Sequence, residues 1–172
     1  MKQFGFNLKN WREAVVFSVT YTVPTMMLIV LLKIIVLLYT DNFAMNAILT
    51  PYASIQHTTS GTLSKLHVWL LTATLYLLLI APLQEIITRG GIQTSLQNFL
   101  VGKYATLRAI VVSNLIFAAI HAYISLIAAV LVFIPGMFCG WIYAKQKTLI
   151  APIISHMLIG FWAIWIVGFE FL

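Results

Sequence analysis

A few polar side chains interrupt a chain that is otherwise strongly apolar. In LLLIAPLQEIITRGGIQTSL (77–96), Glu85 and Arg89 stand at i and i+4, so on a helix they share one face and can pair. Gln84 precedes Glu85, and Gln93 extends the Glu85 face by another turn. Further on, Asn114, Phe117 and His121 follow i, i+3, i+7 spacing and share a face of their own. Ser155 and His156 interrupt a later apolar run. One Glu, one Arg and two His inside apolar runs suggest a functional site, because charge at membrane depth is expensive. Three chemistries suit them. A carboxylate or imidazole could take a proton from water that attacks a peptide carbonyl, with nearby donors holding the oxyanion. Two His and one Glu could hold a metal with water in the fourth place. The same groups could form a proton or ion path. The Glu-x-x-His pattern of di-iron bundles is absent, which removes redox iron.

The elements that must hold these residues are membrane helices. Of 172 residues, 62% are hydrophobic and 8% charged, against roughly a quarter charged in a soluble domain. The net charge of +6 fits basic loops against anionic lipid headgroups. With no basic surface run, nucleic acid is not a partner. Cys139 lies in an apolar run and reads as a packing residue.

The basic, amphipathic lead-in MKQFGFNLKNWREAVV places Trp11 and Arg12 at headgroup level. The run from Ala14 to Tyr39, about 26 residues, is too long for a cleaved signal core and reads as an anchor helix bent at Pro24. Lys33 near its outer end is expected to snorkel. Residues 40–65 form an external loop of mixed polarity. Further runs cover Leu66–Ile87, Leu107–Tyr123, Ser125–Tyr143 and Leu149–Phe169. The fold class is thus an all-α polytopic bundle of five transmembrane helices, or six if 42–58 dips into the membrane. Lys2, Lys9, Arg12, Lys103, Arg108, Lys145 and Lys147 fall on one side and only Lys65 on the other. That bias predicts a cytoplasmic N-terminus and an external C-terminus.

Order and spacing resemble the CPBP intramembrane proteases, which include the CAAX prenyl endopeptidases and the bacteriocin-processing or Abi proteins. Members read E-E-x-x-x-R-G in one span, F-x-x-x-H in the next and H-x-x-x-N or H-x-x-x-D near the end. The matching stretches are QEIITRG (84–90), FAAIH (117–121) and HMLIG (156–160). A G-x-x-x-G helix with a basic turn, often found between the last two, has its counterpart in PGMFCGWIYAKQKTLIAP (135–152). The resemblance covers about residues 78–165. Two positions depart: Gln84 stands where the pattern has its first Glu, and Gly160 where it has Asn or Asp. Either Glu85 takes over the base role, or the chain binds without cutting, or Gln84 is a silencing replacement.

The apolar pattern gives an anchor helix and loop in 1–65, and the resemblance implies a CPBP-like helical core in 66–172. It implies an intramembrane endopeptidase of the glutamate type in a bacterial inner membrane. Its substrate would be a lipidated or membrane-bound peptide entering from the cytoplasmic side or the bilayer. Glu85 with His121 would activate water, His156 with Gln84 would hold the oxyanion, and Arg89 would orient Glu85. Phe117, Asn114 and Gln93 would face the substrate. No cofactor is expected. Zinc is the minor option, with Glu85, His121 and His156 as its ligands. Partners are membrane lipids and the peptide, and the sequence does not set the oligomeric state. One rival is a non-catalytic member acting in immunity, scaffolding or substrate binding. Another is a small transporter, although the polar residues cluster in three spans instead of lining the full depth. Glu85 and His121 lie 18 positions either side of Lys103, so a hairpin turning there would set both about 27 Å along their helices. His156 is close to its own turn, which makes it the hardest of the three to bring in.

Overall fold

A computed structural model describes residues 11–39, 48–50 and 65–168. Among these residues there are five helices in chain order and no strand. They are α1 (Trp11–Tyr39), α2 (Leu66–Phe99), α3 (Ala105–His121), α4 (Leu126–Gln146) and α5 (Ile150–Ile166). The protein is a helical membrane bundle. α1, α2 and the Ala128–Gln146 part of α4 are long and apolar enough to cross a membrane. α3 and α5 are shorter apolar helices, about 25 Å long at 1.5 Å per residue. Residues 1–10 of the basic lead-in and nearly all of the 40–65 loop, with most of the 42–58 stretch that would make a sixth span, lie outside the described residues, while Trp11 and Arg12 open α1.

The helix ends follow from local chemistry. Gly102 takes φ 96° in the turn between α2 and α3, a conformation that suits glycine. The Ser125 side chain caps α4 by accepting from the Ala128 N–H at 3.0 Å. Lys147 ends α4 in the left-handed region at φ 51°.

α2 runs twelve residues past Ile87, the expected end of the second apolar run, and contains two π-helical segments, Tyr76–Ile80 and Ile86–Gln93. Pro82 lies two residues after the first, behind Ala81. It has no N–H to donate, and a widened turn before it absorbs the missing bond. The second spans Arg89-Gly90-Gly91. α1 passes through Pro24 as one helix.

Polar atoms point inward and apolar side chains outward, as lipid requires. Ser18, Thr22, Glu85, Arg89, Gln93, Ser113, Asn114 and Ser155 are buried, while Leu78, Ile87, Leu126 and Val130 are exposed. α1 runs parallel to α5, joined along its length. Ser18 Oγ donates to Ala151 O at 2.8 Å, Thr22 Oγ1 to Ser155 Oγ at 2.9 Å, and Trp162 Nε1 to Met26 O at 3.2 Å. At the far end Lys33 does not snorkel as expected. Its ammonium donates to Val167 O and, at 3.0 Å, to Thr50 Oγ1. A cation there satisfies carbonyls that the helix end leaves open.

Candidate active site

The site is built where α2 meets α4, α3 and α5. Glu85 and Arg89 pair as their spacing predicts, Arg89 Nε lying 3.1 Å from Glu85 Oε2. Both are essentially fully buried. A buried ion pair persists only when its remaining donors are also satisfied, and here they are. Arg89 Nη2 donates to Gly136 O at 2.9 Å, and Nη1 reaches Gln93 Oε1 and Ser113 Oγ at 3.4 and 3.5 Å. The guanidinium also lies 5.9 Å from the Phe117 ring centroid, within cation–π range.

α4 makes room for this with two glycines. A Cβ on Gly140 would come within 2.9 Å of Ile110 Cγ2 and 3.0 Å of Gln93 Oε1, and one on Gly136 would collide with the Asn114 amide. The G-x-x-x-G spacing lets α2 and α3 approach the α4 backbone closely.

The carboxylate's second oxygen meets a histidine. Glu85 Oε1 lies 2.8 Å from His156 Nδ1 on α5. That histidine is partly exposed, at 15%. Its ring packs edge-on against Phe117 at 5.7 Å and against Tyr76 at 6.1 Å.

The expected water-activating pair, Glu85 with His121, is not the pair that forms. His121 Nδ1 turns to Phe117 O at 2.8 Å, and its ring packs on Phe117 at 4.5 Å. Residue counting assumed two plain α-helices, whereas the π segments of α2 change both rise and facing per residue. His121 and His156 thus share Phe117 as a neighbour, but only His156 reaches the carboxylate. The proposed zinc ligands Glu85, His121 and His156 do not gather. Among the described residues, no three His, Cys, Asp or Glu are placed to hold a metal ion.

Gln93 and Asn114, expected to face a substrate, are buried in helix packing. Gln93 Nε2 donates to Gly140 O at 3.0 Å and Asn114 Nδ2 to Phe133 O at 2.6 Å. Phe117 is buried between the two histidines. Gln84 is half-buried and hydrogen-bonds no described residue. Sequence reasoning passed over Ser113 and Tyr76. Ser113 lies one residue before a polar position already noted, and Tyr76 looked like one more aromatic in an apolar run.

The family model described as type II CAAX prenyl endopeptidase Rce1-like matches residues 66–162. The chain belongs to this family. No curated protein and no solved structure matches it. The Rce1-like match takes in α2, α3, α4 and α5 as far as Trp162, and so includes Glu85, Arg89, His121 and His156. α1 lies outside the match, although it is hydrogen-bonded along the length of α5.

Proposed function

We propose that this Rce1-like protein is an intramembrane endopeptidase acting on a lipidated, membrane-held peptide, with His156 as its general base. The observation that carries the reading is the Arg89–Glu85–His156 chain of contacts, at 3.1 and 2.8 Å. A carboxylate accepting from Nδ1–H fixes the tautomer and leaves the Nε2 lone pair free. Nε2 would then take a proton from water as the water oxygen bonds to the scissile carbonyl carbon. The tetrahedral oxyanion would collapse as the C–N bond breaks, and the imidazolium would return the proton to the leaving amine. Glu85 would stabilise the imidazolium, and Arg89 would keep Glu85 ionised and aimed. Gln84 and His121 are the candidate oxyanion donors, Gln84 because its amide is otherwise uncommitted. No step draws on a metal, and chelation of divalent ions is expected to leave turnover intact. Phe117 would act as a wall between the two imidazoles. The lipid tail would lie along the apolar outer faces of the helices. The setting is a bacterial inner membrane with the N-terminus cytoplasmic.

A second reading has its own support. Position 84 carries an amide, and Glu85, the one site carboxylate among the described residues, is buried with both oxygens engaged, which suits a protein that binds without cutting.

One experiment separates the two: purified protein in lipid nanodiscs with a farnesylated C-terminal peptide carrying a fluorophore and quencher. Cleavage that drops by about a hundredfold or more in His156→Ala, with peptide binding retained, is the expected result. Binding without cleavage by the unmodified chain would establish the second reading instead.

A further inference from the structure

Gly160 is one helical turn beyond His156, and the space beside its Cα is occupied. A Cβ there would land on the Tyr76 hydroxyl and come within 3.0 Å of Tyr76 Cε1. Tyr76 reaches the spot from α2. Its hydroxyl donates to His156 O at 3.3 Å, and its ring stands edge-on to the His156 imidazole at 67°. Trp165 backs it at 5.0 Å. The residue is buried. With Glu85 on Nδ1 and Phe117 at 88° to the ring, His156 is bounded on three sides, and Tyr76 is the side that position 160 leaves open.

The geometry points to Tyr76 as the positioning residue for His156: its hydroxyl, seated over Gly160, and its ring edge hold the imidazole so that Nδ1 stays on Glu85. This rests on the reading of His156 as the base. The motif resemblance puts Asn or Asp at position 160. Here a polar atom occupies the same neighbourhood but is delivered from α2, and only glycine at 160 admits it. Gln84 and Gly160 are therefore different kinds of departure. Gly160 has its substitute in Tyr76, while Gln84 replaces a charge with an amide. A hydroxyl on the turn that carries His156 also counters rotation of the ring away from the carboxylate, since a buried tyrosine hydroxyl keeps its partner.

The test uses Tyr76→Phe, Gly160→Ala and the double variant, in nanodiscs, with two readouts. The first is cleavage of the farnesylated reporter. Each single variant should lower kcat by about tenfold with KM unchanged, and the double should be no worse than Gly160→Ala alone, because one contact is lost in every case. The second is the side-chain 15N spectrum of His156, in which both singles should shift from one fixed tautomer toward a mixture. An unchanged His156 spectrum in both variants, or losses that simply multiply in the double, would overturn the proposal. If the unmodified chain does not cleave, the protease reading falls, and the His156 spectrum still decides whether Tyr76 positions the ring.

Discussion

Glu85 Oε1 sits 2.8 Å from His156 Nδ1 although 71 residues separate them in the chain. Arg89 closes on the carboxylate's other oxygen from one turn away. The pair is therefore a hinge of the fold as well as of the site: a single buried carboxylate joins α2 to α5. Glu85→Gln keeps the shape and removes the charge. It leaves Arg89 buried with no counter-charge, which costs on the order of 3 kcal/mol, and it frees His156 to adopt the wrong tautomer. A fall in thermal unfolding temperature together with a loss of turnover of about a hundredfold or more is expected. Unaltered values of both would remove Glu85 from the site and from the core.

The α3–α4 contact predicts a rescue. Gly136→Ala drives a methyl into the Asn114 amide, and overpacking of this kind costs about 1–3 kcal/mol. Asn114 Oδ1 has no hydrogen-bond partner among the described residues, so truncating Asn114 gives up only the bond to Phe133 O. Gly136→Ala should lower the unfolding temperature, and Asn114→Ala added to it should restore most of the loss. A double variant less stable than Gly136→Ala would show that Asn114 contributes something other than the clash.

Gln84 offers a sign test. As an oxyanion donor its amide N–H is what matters, and Gln84→Glu would set a negative charge against the developing one. Turnover of the reporter should fall. A rise would mean that position 84 wants a carboxylate and that the base belongs there, with His156 in a supporting role.

Helix direction and charge predict the orientation in the membrane. Because α1 and α5 are parallel and α2 runs with α4, the residues Arg12, Lys103, Arg108, Lys145 and Lys147 come to one end of the bundle. Tyr123, almost wholly exposed, is in the turn at the other end. Single cysteines at 103 and 145 should react with an impermeant maleimide only after permeabilisation, and one at 123 before it. Cys139 is buried and should stay silent. External labelling at 145 would invert the topology.

The apolar runs made all five helices legible, because a lipid-facing helix declares itself by composition alone. The Glu85–Arg89 pair was legible for the same kind of reason, being a relation within one helix. The partner of Glu85 was not. Choosing between His121 and His156 depends on how three helices are rotated about their axes, and Pro82 and Gly90-Gly91 disturb that rotation inside α2. The ends of α2 show a similar limit. Residues 91–100 look polar enough to project partly into the cytoplasm, yet Gln93 and Thr94 find partners on α4, at Gly140 O and the Tyr143 hydroxyl. Tyr76 was hidden because an aromatic in an apolar run usually means packing, and its significance appears only with its hydroxyl filling the flank of Gly160.

The zipper between α1 and α5 has a consequence for biogenesis. α1 leaves the ribosome before the other four described helices, and α5 leaves last. Ser18, Thr22 and Lys33 therefore enter the bilayer well before Ala151, Ser155 and Val167 exist to receive them. Thr50 follows Lys33 by 17 residues and can take its ammonium early, whereas Ser18 and Thr22 meet Ala151 O and Ser155 Oγ only when α5 arrives. The arrival of α5 therefore sets His156 against Glu85 and closes the contacts to α1 together, so the site waits on the last of the described helices.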